Sequence, residues 1–124
     1  MTTPFVRPDV RGFLDFLNSL PGPKTHEVDA ATARAQYLAM KDVADLPAPD
    51  LATVRDLQIP GPAGPIPARL FDPRETREPG PAVVYFHGGG FVIADLNTYD
   101  SSPRALSHLT GAIAVSVHYR QVPG

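Results

Sequence analysis

Apolar positions near the start of the chain recur at steps of three and four residues: Val10, Phe13, Leu14, Leu17 and Leu20. That spacing places them on one face of a helix running from Pro8 to Leu20. Pro8 suits a first helical position, where an N–H would be unpaired anyway, and Pro21-Gly22-Pro23 stops the run. A second helix is expected from about Ala30 to Asp45, capped by Asp29, with Ala33, Tyr37, Met40 and Ala44 along one side and Pro47-Ala48-Pro49 at its end. The apolar stripe of the first helix is read as packing against the second. The period then shortens. Val54, Leu57 and Ile59 sit among polar residues, and beyond a Pro60–Pro65 turn Ile66, Ala68 and Leu70 alternate with Pro67 and Arg69. This is a hairpin, placed at a sheet edge where proline is tolerated. After a solvated link from Asp72 to Pro81, the run Ala82-Val83-Val84-Tyr85-Phe86 has the pattern of a strand covered on both faces, as does Ile113 to Val117. Asp100 can cap an intervening helix that carries Leu106 and Leu109. Strand, Gly-rich loop, helix and strand in that order predict a parallel, right-handed βαβ crossover.

Composition narrows the function classes more than the fold. In 124 residues, 11 basic and 13 acidic side chains give a net charge of -2, so nothing draws the chain to nucleic acid or to an anionic membrane. A small, mostly neutral molecule is the expected partner. Without cysteine there is neither a disulfide framework nor a thiolate metal site. The first thirty residues are charged throughout and contain no apolar core segment, so neither a signal peptide nor a membrane span is expected and a cytoplasmic location follows. The 15 prolines and 10 glycines gather at 21–23, 47–49, 60–67 and 79–90, where they punctuate elements rather than form a low-complexity tract.

The stretch that carries chemistry is His87-Gly88-Gly89-Gly90-Phe91, directly after a predicted strand. Three glycines allow backbone conformations that a Cβ forbids and let a ligand approach the main chain. Amide N–H groups presented in this way can stabilise the oxyanion of acyl transfer, where one preorganised donor is worth roughly 10²–10³ in rate. A phosphate-binding reading is poor, because Ile93 stands where G-x-G-x-x-G needs its third glycine and no Lys-Ser/Thr follows. A metal site from His87 and His118 is conceivable, yet lone histidines are more often hydrogen-bonded structural groups.

Together with Val92-Ile93, Asp95-Leu96, Thr98, Asp100 and Tyr119-Arg120, this stretch resembles the hormone-sensitive-lipase-like carboxylesterases of the α/β-hydrolase superfamily, whose HGGG loop follows the third strand of the fold. The hairpin around Ile66-Pro67-Ala68-Arg69-Leu70 and the two N-terminal helices extend the resemblance over the whole chain. It implies an α/β architecture: a helical cap segment at 1–48, then at 49–124 the first half of a hydrolase sheet, about four strands, incomplete. It further implies that the amides of Gly88, Gly89 and Gly90 form an oxyanion hole, and that His87, Tyr119 and Arg120 shape the loop. Phe91, with Phe13, Phe16 and Leu17 of the cap, would meet the substrate. No cofactor and no metal are implied.

Three positions depart from the family pattern. Ala94 replaces a usual glycine, His118 replaces an aspartate before Tyr-Arg, and Gln121-Val122-Pro123-Gly124 replaces Leu-Ala-Pro-Glu, which is expected to deprive Arg120 of an acidic partner. None of Ser19, Ser101, Ser102, Ser107 or Ser116 lies in a Gly-x-Ser-x-Gly setting, so the chain contains no nucleophile elbow, and the family places serine, acid and base later. The expectation is a piece of an ester hydrolase, inactive alone, whose complete enzyme would act on a small-molecule ester. A disrupted gene product, or a non-catalytic module that binds acyl ligands or another protein, are the alternatives. In the family's sheet the third strand lies between the fourth and fifth, so the edge of Ala82–Phe86 is expected to stay open, inviting a complementing C-terminal half or self-association.

Overall fold

Alternating side chains fold Thr53–Ile59 (β1) against Ile66–Asp72 (β2) as an antiparallel hairpin, paired from Ile59↔Ile66 to Thr53↔Asp72. In this computed structural model, which describes residues 3–124, the turn is closed by a Gly64 N–H to Gly61 O bond of 3.2 Å. Gly64 sits at φ +121°, a left-handed conformation open to glycine. Ile113–Val117 (β4) adds antiparallel to β2, and Ala82–Phe86 (β3) adds parallel to β4, giving the order β1-β2-β4-β3.

The hairpin does lie at an edge, but that edge is β1, and Pro67 belongs to the inner strand β2. It is tolerated for a different reason than expected. The β2–β4 ladder ends at Ala68↔Val117, and Pro67 contributes only its carbonyl, which accepts from His118 N–H at 2.8 Å. On that side the chain needs no donor from residue 67.

The crossover between β3 and β4 carries Ser101–Thr110 (α4), which packs on β4 and β2. Gly111 at φ +70° ends it as a left-handed cap. The buried residues of α4 are Pro103 and Ser107, with Leu109 pointing largely to solvent. The Ser107 hydroxyl lies 3.1 Å from Phe71 O and 2.8 Å from Ala112 O, so it can donate to either carbonyl beneath the helix. Asp100 precedes α4 but its side chain makes no cap bond. It accepts instead from Arg69 Nη1 (2.9 Å) and Arg104 Nε (2.8 Å), because two guanidinium groups satisfy a half-enclosed carboxylate better than one amide would. The link after β2 is pinned rather than freely solvated: Arg77 pairs with Asp72 and donates to Gly111 O at 2.9 Å.

One face of the sheet is closed. Phe71, Ala114 and Ser116 are fully buried. The strand β3 was expected to be covered on both faces, but only Val83 and Tyr85 are half-buried, while Val84 and Phe86 are 56% and 64% exposed. Continuous apolarity describes what a strand can bury, not what reaches it.

N-terminal to the sheet, Pro8–Ser19 forms α1, with Pro8 in its first turn. None of its residues is buried, and Phe13 and Phe16 are about half exposed. The expected packing of α1 on the second helix is not substantial among the described residues. That second helix divides at Met40 into Ala30–Ala39 (α2) and Lys41–Ala44 (α3). The backbone stays right-handed there, and Met40 O accepts from both Val43 and Ala44, a tightened turn rather than a break. Asp29 caps α2 through Thr32 N–H at 3.0 Å, and this bond holds its carboxyl below the usual range. Among the described residues no helix is long and apolar enough to cross a membrane.

Candidate active site

The segment 87–94 leaves the end of β3 and must turn back at once, and glycine chemistry decides how. Gly89 stands at φ +131°, Gly90 at +60° and Phe91 at +61°. A Cβ on Gly89 would lie 2.0 Å from Ile93 O, so no other residue fits without moving the backbone. Ala94 also takes a positive φ, +79°, where an L side chain costs about 1–2 kcal/mol. This is the position where the family pattern has glycine, and the dihedral supplies the reason.

His87 is 3% exposed, with Tyr119 stacked on it at 4.5 Å and Tyr99 at 5.7 Å. Its Nδ1 lies 2.7 Å from Gly88 O, so the Nδ1–H tautomer is the one that bonds; the Tyr119 hydroxyl donates to His87 O. Nε2 of His87 and Nδ1 of His118, whose rings lie 6.1 Å apart, are buried without hydrogen-bond partners among the described residues. Burial, then the neighbouring His87, pushes the His118 imidazole below its ordinary pKa, with Asp95 opposing. Asp95 is held below the usual carboxylate range: burial raises it, but Thr98 N–H (2.7 Å) and hydroxyl (2.8 Å) outweigh burial. Tyr99 is tied to Tyr37 of α2 by a 3.1 Å hydroxyl pair, which pushes its phenol up.

The carbonyls of the loop are almost all engaged. His87 O and Gly88 O are satisfied as above, Gly89 O accepts from Val92 and Ile93 N–H, and Phe91 O accepts from Val122 N–H at 2.8 Å. Val92 O takes Arg34 Nε at 2.7 Å, while Ile93 O and Ala94 O both take the Gln121 amide, at 2.9 and 2.7 Å. The N–H groups of Gly88, Gly89 and Gly90, by contrast, donate to no acceptor among the described residues. Gly89 and Gly90 border an open groove whose far wall is Thr25, His26, Ala30 and Ala33. Donors without partners beside fixed carbonyls are what a negative oxygen would need.

Other residues singled out in the sequence fall differently. Phe91 is 68% exposed and meets the Tyr119 ring edge-on at 5.8 Å. Phe13, Phe16 and Leu17 do not line the groove beside Gly89, since α1 makes no substantial contact with the sheet or with α2. Arg120 is exposed, with no ion pair or side-chain hydrogen bond among the described residues. The loop contacts expected of it are made by Arg34 and Gln121. Arg34 carried no sequence signal, being one charge on a helix. Gln121 stands out in the sequence as a departure from the family's leucine, but the departure by itself does not point to the carbonyls it bonds.

A family profile described as the alpha/beta hydrolase fold matches residues 83–124. Esterase LipI of Mycobacterium tuberculosis is 48% identical over 77 residues, 60% of this chain and 24% of that protein. An acetyl esterase of Salmonella schwarzengrund is 33% identical over 96 residues, 77% of this chain and 28% of its own length. The hyperthermophilic esterase from the archaeon Pyrobaculum calidifontis superposes with a TM-score of 0.81 at 38% identity, covering 95% of this chain and 37% of that one. Ester-hydrolase EH1AB1 from the Lake Arreo metagenome gives a TM-score of 0.85 at 29% identity, over 94% and 38% of the two chains. The chain thus spans about a quarter of the length of these curated relatives and little more than a third of the solved enzymes. Fold, loop and relatives agree, and the chain belongs, as an N-terminal portion, to the hormone-sensitive-lipase-like carboxylesterases of the α/β-hydrolase superfamily.

Proposed function

We propose that this chain supplies the oxyanion-hole segment of a carboxylic-ester hydrolase. The observation that carries the proposal is the asymmetry of residues 87–94, in which carbonyls are bonded inward and the amides of Gly88, Gly89 and Gly90 are left as donors. An ester carbonyl seated in the groove would gain negative charge on its oxygen as a nucleophile adds, and fixed amides stabilise that charge without reorganising. His87 and Tyr119 keep the loop in shape and take no proton from the substrate. The nucleophilic serine, its base and the orienting acid come from residues outside 1–124, since no serine here lies in a Gly-x-Ser-x-Gly setting. In this reading 1–48 contributes to the substrate cap and 49–124 to the core.

The test uses butylphosphonate, a stable anion with tetrahedral oxygens, titrated into the 15N-labelled chain. Saturable shifts of the Gly89 and Gly90 amides, lost in Gly89→Val, are expected. Shifts confined to other residues would refute the proposal. The same preparations should hydrolyse p-nitrophenyl acetate and butyrate no faster than an inactive-protein blank. A saturable rate abolished by Gly89→Val would reveal a nucleophile within the chain and overturn the assignment of the triad elsewhere.

A further inference from the structure

The loop that presents these donors must be held against its own strain, and the chain has altered two positions that bear on this together. Ala94 adopts φ +79° with its side chain 3% exposed, so it can neither relax nor swing into solvent. Directly beside it, the Gln121 side-chain amide spends both of its N–H groups on the carbonyls that flank the strained residue's N–Cα–C unit, Ile93 O at 2.9 Å and Ala94 O at 2.7 Å. A bond to each of these carbonyls ties down the peptide planes on both sides of Ala94. Rotation of either plane, which a change in the Ala94 dihedrals requires, stretches one of the two bonds.

Ile93 O has a second duty. It is the atom that closes on Gly89, lying 2.0 Å from where a Cβ would stand, and Ile93 N–H in turn donates to Gly89 O at 3.0 Å. Fixing Ile93 therefore fixes Gly89, whose amide is one of the free donors. Leucine, the residue of the family pattern at this position, has no polar hydrogen and could make neither bond. A glycine at 94 would need neither, because it occupies positive φ without strain.

We infer that Gln121 is a positioning residue for the oxyanion loop, one that replaces the conformational freedom of a glycine at 94 by clamping the carbonyls of Ile93 and Ala94. The clamp rests on the proposed function for its purpose, but its existence is tested independently of any ester or anion. It acts at a distance from the reacting atoms and touches them only through Gly89.

Hydrogen exchange of the full chain, followed by mass spectrometry, reads the clamp. The hairpin 53–72 serves as the internal reference. In Gln121→Met, the Val92 and Ile93 amides, which donate to Gly89 O, should exchange about tenfold faster, the scale of one or two neutral hydrogen bonds lost, while the hairpin is unchanged. In an Ala94→Gly background the same substitution should accelerate exchange less than about threefold, because the strain it restrains is gone. Gln121→Glu, equal in size but without amide donors, should behave like Gln121→Met. Equal acceleration in both backgrounds, acceleration spread over the hairpin, or a loop without protection in the unaltered chain would each overturn the inference. A failed butylphosphonate titration beside an intact clamp would refute the oxyanion role alone.

Discussion

The two faces of the sheet are built from similar residues and finished in opposite ways. Phe71, Ala114 and Ser116 on one face have no solvent exposure, whereas Val84 and Phe86 on the other are more than half open. Strand formation does not distinguish them, since β3 pairs with β4 along its full five residues. Coverage does. The crossover returns α4 to β2 and β4 by a short path, and no helix packs substantially on β3. Apolar pattern is thus a statement about capacity, and burial is a statement about neighbours. The same distinction separates α2, anchored to the loop by Arg34 and Tyr37, from α1, whose stripe touches nothing substantial.

The comparison breaks if the two faces respond alike to truncation. Phe71→Ala should cost about 3–5 kcal/mol, because a fully buried ring leaves a cavity. Phe86→Ser should change stability by less than about 0.5 kcal/mol, as for other exposed positions. Urea unfolding followed by circular dichroism measures both. The exposed substitution has its effect elsewhere: it should reduce concentration-dependent association seen by sedimentation, because an apolar strand edge pairs readily with a second chain. Equal losses of stability would mean that Phe86 is buried in solution.

The two carboxylates on Arg69 sharpen the same contrast at a smaller scale. Asp100 is 12% exposed in its side chain and is shared between Arg69 and Arg104, while Asp56 meets Arg69 at 67% exposure. Asp100→Asn should cost roughly 1.5–3 kcal/mol, the value of charge-assisted bonds in a half-enclosed site. Asp56→Asn should cost about 0–1 kcal/mol, even though its 2.6 Å contact is shorter than the 2.9 Å contact of Asp100. Thermal unfolding of the two variants side by side decides whether enclosure or distance sets the strength.

The strands were legible because their signals are local. Ile113–Val117 and Ala82–Phe86 appear with the expected bounds, and Pro8 and Asp29 open helices as their chemistry requires. The glycine loop was legible for a related reason, as positive φ at 89 and 90 leaves a trace in residue type. What stayed hidden depends on contacts between distant segments. Arg34 reaches Val92 across 58 residues of sequence, and Gln121 reaches Ile93 across 28, and neither residue type announces a carbonyl partner. Asp100 misled because an acid before a helix is a cap only when no better partner is near. In the fold it has two arginines.

His118 gives the smallest expected effect and the one that joins the buried face to the loop. Its pKa is lowered by burial and by His87, against Asp95, with Arg34 adding to the depression. The folded chain therefore keeps the imidazole neutral at a pH where the unfolded chain, with an ordinary value near 6.5, already binds a proton. Because the unfolded state then holds more protons, stability must fall as pH drops through 6.5 toward the lower folded value, and it is fully present above that range. Melting temperatures at pH 7.5, 6.5 and 5.5 should decline more steeply for the unaltered chain than for His118→Gln, which keeps a polar side chain but cannot titrate. Parallel declines would mean that His118 does not set the acid sensitivity. A steeper fall in the variant would mean that His118 is charged in the fold and paired with Asp95, reversing the sign of the argument.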